Sequence, residues 1–173
     1  FTKINKRKLL WEALLKVNKK VTNTTQQKLF YPETKNFVLP DLNLTALENI
    51  KDDIEILGFP QCNPFSLLKE KPSAYFLAKH LKDYINKSII VYGYLVTIKT
   101  TKTSNNKYMY FGTFIDKEGF WLDTVHFPPV ASKYPFRGKG IYKMCAKVVS
   151  EFDFLSLEVL QMEKMPYVNF GED

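Results

Sequence analysis

The chain has 173 residues, 45% of them hydrophobic and 15% aromatic, with 25 Lys and Arg against 18 Asp and Glu for a formal charge of +7. Such content excludes a disordered chain and leaves room for one domain with an extension and a sizeable core. No apolar run is long enough to span a membrane and no signal-peptide pattern opens the chain, so a cytoplasmic protein is expected, and the basic balance points to a polyanionic partner.

The first residue is Phe1 and not Met, which makes a piece of a longer chain the expectation. Lys3, Lys6, Arg7, Lys8, Lys16, Lys19 and Lys20 face a single acid, Glu12, within the first 20 residues. Lys6–Val17 has helical periodicity, with Leu10, Leu14 and Val17 on one face and Trp11 beside them. This helix is either docked on the rest of the chain or the last helix of a truncated DNA-binding unit. Asn18–Thr25 lacks periodicity and reads as a mobile linker. In Gln26-Gln27-Lys28-Leu29-Phe30 two adjacent large apolar side chains stand among polar ones, and they need a local anchor or a partner's pocket.

Leu44–Leu57 carries a capping box, Thr45 with Glu48, and a stripe of Leu47, Ile50, Ile54 and Leu57 expected to be buried. Gly58 and Pro60 end it. Asn63-Pro64 starts a short helix bearing Phe65, Leu67 and Leu68. A third helical stretch, Ser73–Asn86, places Leu77, Leu81, Tyr84 and Ile85 inward. Together these read as an apolar collar leading into a run of strands.

From Ile89 the period changes to two. Ile89–Thr97 alternates Ile89, Val91, Gly93 and Leu95 against Ile90, Tyr92, Tyr94 and Val96. A polar loop, Lys99–Lys107, separates it from Tyr108–Ile115, which turns through Asp116–Gly119 into Phe120–Phe127. Pro128–Tyr134 reads as a helical connector, and Ile141–Ser150 and Phe154–Met162 as two more strands. Five strands with a bulky connector between the third and fourth match the oligonucleotide-binding (OB) barrel, with Gly93 where a long first strand bends. Another small antiparallel barrel or sandwich is the alternative. The fold class read here is mainly β, a five-stranded OB barrel behind an α-helical N-terminal extension and collar.

No catalytic constellation stands out. The run Phe136-Arg137-Gly138-Lys139-Gly140 lacks phosphate-loop spacing and precedes a strand. Asp52, Asp53 and Glu55 spread over the solvent side of a helix. His80 and His126 read as structural or surface residues, and Cys62 and Cys145 as reduced, partly buried thiols without zinc-site spacing. A binding fragment with no catalytic residue, metal or cofactor is expected.

The run Asp53–Pro60, followed by Pro64-Phe65 and Leu67-Leu68, resembles the join after the helical region of bacterial replicative DNA polymerases. Gly93–Thr100 and Met109–Asp116 are similar to the OB domain of the DNA polymerase III alpha subunit. Thr124–Pro128, Gly140 with Tyr142, and Glu151-Phe152 then fall in the family's order, so the resemblance runs from Lys6 to Pro166. It implies the C-terminal part of that subunit, with the catalytic carboxylates of the DNA-directed polymerase, a nucleotidyltransferase, lying upstream. By the same resemblance, residues 1–20 are the tail of a helix-hairpin-helix region holding duplex DNA weakly through Lys3, Lys6, Arg7, Lys8, Lys19 and Lys20. Residues 21–42 are a linker with a sliding-clamp (beta subunit) motif at Gln26, Leu29 and Phe30. Residues 43–86 are the collar, 87–166 the OB domain and 167–173 a tail. Many relatives continue into a domain that binds the tau subunit, and the stop at Asp173 leaves tau binding by this chain in doubt.

Periodicity splits the second strand into Met109, Phe111, Thr113 and Ile115 against Tyr108, Tyr110, Gly112 and Phe114, without saying which set is inside. Resemblance to other OB domains turns Phe111 outward as a stacking platform for single-stranded DNA, with Met109 beside it and Tyr110 and Phe114 in the core. Lys99, Lys102 and Lys107 would line one end of the groove, and Lys143 and Lys147 extend it. The rival reading is a spacer barrel with little affinity for DNA. A basic groove with exposed aromatics favours the first, a mixed-sign surface the second.

Overall fold

The computed structural model describes residues 6–17, 45–152 and 154–168. Gln26, Leu29, Phe30, Lys3, Lys19, Lys20 and the linker lie outside them. The chain divides into two compact units, Phe1–Asn49 and Ile50–Asp173.

In the first unit, α1 spans Lys6–Val17, and its apolar positions Leu10, Trp11, Leu14 and Val17 are exposed. Helix α2, Ala46–Leu57, crosses the boundary between the units. Its capping box is formed: Thr45 N–H donates to Glu48 Oε2 (2.8 Å), and Glu48 N–H to Thr45 Oγ1 (3.2 Å). The expected buried stripe forms only in part: Ile50 and Ile54 are half-buried and Leu47 and Leu57 exposed, whereas Asp53, expected on the solvent side, is the buried residue of the helix. A carboxylate tolerates burial only when partnered, and Asp53 has a partner.

The second unit is a closed five-stranded barrel of the OB type, ordered β1-β2-β3-β5-β4. Its strands are β1 (Ser88–Lys102), β2 (Tyr108–Ile115), β3 (Trp121–His126), β4 (Ile141–Glu151) and β5 (Phe154–Lys164), with α3 (Pro128–Lys133) between β3 and β4. Strand β1 is long enough to serve both halves. Ser88–Tyr94 pairs with β4, and Tyr94–Lys102 pairs with β2 through a register shift between Leu95 and Thr97. Gly93 lies just before the change of partner at Tyr94, and an added Cβ there would stand 2.8 Å from Phe114 Cβ, so only glycine lets the two strands close that tightly. Tyr94 and Leu95 are both buried, on opposite faces: Leu95 belongs to the barrel interior, and Tyr94 lies on the outer face with Tyr92, covered by Phe65 and Leu68 of the collar. The polar loop shrinks too: pairing continues through Lys102, and the turn is Thr103–Lys107, closed by Thr103 N–H to the Lys107 carbonyl (2.9 Å).

Val91, Leu95, Phe114, Leu122, Met144 and Leu157 fill the barrel. Phe136, after α3, packs against Phe114, Tyr142 and His126. A second cluster, Phe65, Leu68, Tyr94 and Ile141, fastens the collar to the bent part of β1. There Asn63 caps the short 3-10 turn Pro64–Leu67, its Oδ1 accepting from Phe65 N–H at 3.0 Å. The Ser73–Asn86 helix is instead a 3-10 segment, Ala78–Tyr84, with Leu81 buried, Leu77 half-buried and Tyr84 and Ile85 exposed. Its start is set from outside: the buried Asp116 carboxylate accepts from Ala78 N–H and from Glu118 and Phe120 N–H, each at 2.9 Å. Three backbone donors satisfy that carboxylate and tie the collar to the β2–β3 turn.

Candidate nucleic-acid interface

Burial decides the two faces of β2. Gly112 and Phe114 are buried, so Met109, Phe111, Thr113 and Ile115 form the outer set; Phe111 is 41% exposed and Phe114 0%. Tyr110, expected in the core, is only half-buried, its ring edge-on to Phe136 at 5.8 Å. Cross-strand partners share a face, so the register extends the outer surface. Phe111 stands between Lys99 on β1 and Val125 on β3, and Ile115 stands beside Trp121, which is 62% exposed. Thr113 Oγ1 donates to Asp123 Oδ1 at 2.9 Å, holding that carboxylate on the same surface.

The turn between β4 and β5 adds two aromatics that alternation along β2 does not reveal. Phe152 is fully exposed in the left-handed region (φ 50°), and Phe154 is also exposed. A bulky side chain adopts that conformation at a cost of about 1–3 kcal/mol, and such residues concentrate at functional sites. Phe111, Val125, Phe152 and Phe154 line one open cleft of about 550 Å³, together with Asp123 and Glu151. The signal available in the sequence is Phe152 and Phe154 at a tight turn between two strands, where no core position is on offer; Glu151-Phe152 enters the sequence reading only as a family marker.

The expected lysines divide. Lys99 is exposed beside Phe111. Lys102 pairs with Tyr108 on the opposite side of the β1–β2 ribbon, its Nζ 5.1 Å from the Tyr108 ring centre. Lys107 shares a separate cleft of about 680 Å³ with Tyr108, Tyr110, Pro128 and Pro129. Lys102 lies three positions after Lys99, an odd offset, and period two therefore puts them on opposite faces. Lys147 is half-buried on the outer surface, opposite Glu158, which in turn pairs with Val125. Lys143 lies further round, between Tyr92 and Glu163. The surface is mixed in sign, and its cleft is aromatic, with two carboxylates and no cation among the described residues that line it.

Beneath it, Thr124 Oγ1–H donates to the Gly112 carbonyl (2.8 Å), so the single hydroxyl proton is committed. His126 Nε2, 2.9 Å from the same oxygen, must be the donor, and Nδ1 is left buried with no partner among the described residues. Burial pushes the His126 pKa down to about 4, so the ring is neutral. His80 is exposed. Cys62 and Cys145 are free and half-buried, and no group of three His, Cys, Asp or Glu among the described residues could hold a metal.

No family model and no curated protein matches the chain. Among solved structures it is similar to a lipoprotein from Klebsiella pneumoniae with a proposed nucleic acid-binding role (18% identity, TM-score 0.40, 49% of this chain and 78% of that one). It is also similar to the second OB-fold domain of replication protein A from Methanococcus maripaludis (11%, 0.33, 46% and 85%). A third is a mitochondrial single-stranded DNA binding protein from S. cerevisiae (12%, 0.34, 49% and 98%).

Proposed function

We propose that the barrel binds single-stranded nucleic acid across the outer face of β2 and β3, bases stacking on Phe111 and on Phe152 and Phe154. The observation that carries this is the cleft itself: three phenylalanines from two separate elements converge on one open surface. Base stacking on an aromatic is worth about 1–3 kcal/mol per base and tolerates any sequence. Lys99 beside Phe111 is placed for a phosphate, while Asp123 and Glu151 repel phosphates from the cleft floor. The ligand therefore enters bases first. Trp121 reports on this surface, and the only other tryptophan is Trp11. In a Trp11→Phe protein, single-stranded DNA should quench the fluorescence of Trp121; unquenched emission at saturating strand would place the ligand elsewhere.

The finer reading rests on the sequence resemblance. In it the chain is the C-terminal part of a polymerase III alpha subunit, with Gln26, Leu29 and Phe30 docking in the sliding clamp and Lys6, Arg7 and Lys8 of α1 among the duplex contacts. The cleft carboxylates favour a second reading, a spacer barrel; under it, the same titration gives no quenching.

A further inference from the structure

No cation lines the stacking cleft among the described residues and Lys99 stands only at its edge beside Phe111, so much of the charge of a bound strand must be met elsewhere. Between α3 and β4 the chain runs Arg137-Gly138-Lys139-Gly140, a stretch that the stacking surface does not use. Its backbone is fixed from two sides. Arg137 N–H donates to Tyr142 Oη (2.8 Å), the Tyr142 hydroxyl donates to the Gly138 carbonyl (2.7 Å), and Lys164 Nζ donates to the Arg137 carbonyl (2.8 Å). Gly138 takes φ 77° and Gly140 φ 151°; a Cβ on Gly140 would stand 2.6 Å from Lys164 Cε. Lys164 is spent on holding the loop, and burial lowers its pKa. Arg137 and Lys139 stay exposed. Neither is among the ion pairs formed by the described residues. Lys133 of α3 shares an open cleft of about 510 Å³ with Arg137 and Lys164, against one acid, Glu163.

Building on the nucleic-acid reading, we infer that the Arg137–Gly140 loop and Lys133 form a second contact, taking phosphodiester groups of the strand whose bases lie on β2 and β3. A guanidinium fork matches phosphate oxygens two at a time. An open cleft with exposed cations suits a repeating backbone better than one enclosed small anion.

The test is a titration of labelled oligothymidylate across a salt series with wild type, Arg137→Ala/Lys139→Ala and Phe111→Ala/Phe152→Ala. Each single-strand phosphate contact contributes about 0.7 to the slope of log K against log salt, so the loop pair should lower it by about 1.4. Lys133→Ala, on a separate element, should lower it by about half as much. The phenylalanine pair should weaken binding at every salt and keep the slope. If both cation variants keep the wild-type slope while the phenylalanine pair loses affinity, this inference falls, the nucleic-acid reading stands, and an acidic protein segment becomes the partner of these cations. If the loop pair loses slope while the phenylalanine pair binds like wild type, stacking falls and the loop contact stands. A wild type that binds no strand overturns both.

Discussion

Phe111 and Phe114 are three positions apart on β2 and have opposite surroundings. Phe114 is packed by Phe136 and Tyr142, and truncation to alanine should cost about 3–5 kcal/mol in urea unfolding. Phe111, open to solvent, should cost less than about 1.5 kcal/mol. Equal losses would mean that Phe111 belongs to the core. His126 makes stability depend on pH. Its pKa is about 4 in the folded barrel against an ordinary 6.5, so the unfolded chain takes up the proton first as pH falls. The contribution is complete above pH 6.5 and declines toward pH 4, a total on the order of 3 kcal/mol. Melting temperature should drop over that window, and His126→Gln should flatten the drop. A profile unchanged by the substitution would show that another group controls the acid limb.

At the scale of elements, β1 decides the architecture, because one strand must pair with both β4 and β2. Gly93→Ala drives a methyl into Phe114 and should destabilise by about 1–3 kcal/mol; a neutral outcome would mean that the bend does not need glycine. Gly93, the five strands and the capping box at Thr45 were all legible in the sequence, since period two, period 3.6 and cap spacing each act within a few residues. What was not legible came from contacts between distant segments. Asp116 sets the start of the Ala78–Tyr84 segment from 38 residues away, and Asp53 lies inside where helical spacing exposes it. Tyr94 keeps the face that alternation assigns it, but its burial comes from Phe65 and Leu68 of the collar, some 26 to 29 positions earlier in the chain. The site was half readable: Phe111 emerged from alternation plus resemblance, whereas Phe152 and Phe154 meet it only because β5 lies beside β3. Lys102 is parted from Lys99 for a local reason, the strand running on through residues that composition marked as loop.

For the whole molecule, a barrel proposed to take single strands is joined to a front segment proposed to hold the clamp. If Leu29 and Phe30 fill a pocket on the clamp, replacing both by alanine should abolish clamp binding in a pull-down and leave the melting temperature unchanged; retained binding would remove the clamp motif from the proposed function. The central claim is that the phenylalanines of two separate elements act together on one strand. Fluorescence anisotropy of a labelled single strand at high salt, where phosphate attraction is screened, isolates their share. At about 1–3 kcal/mol each, Phe111→Ala and Phe152→Ala should weaken binding by roughly 5-fold to 150-fold apiece, and the pair by more, with folding intact. Wild-type affinity in the double variant would contradict the claim.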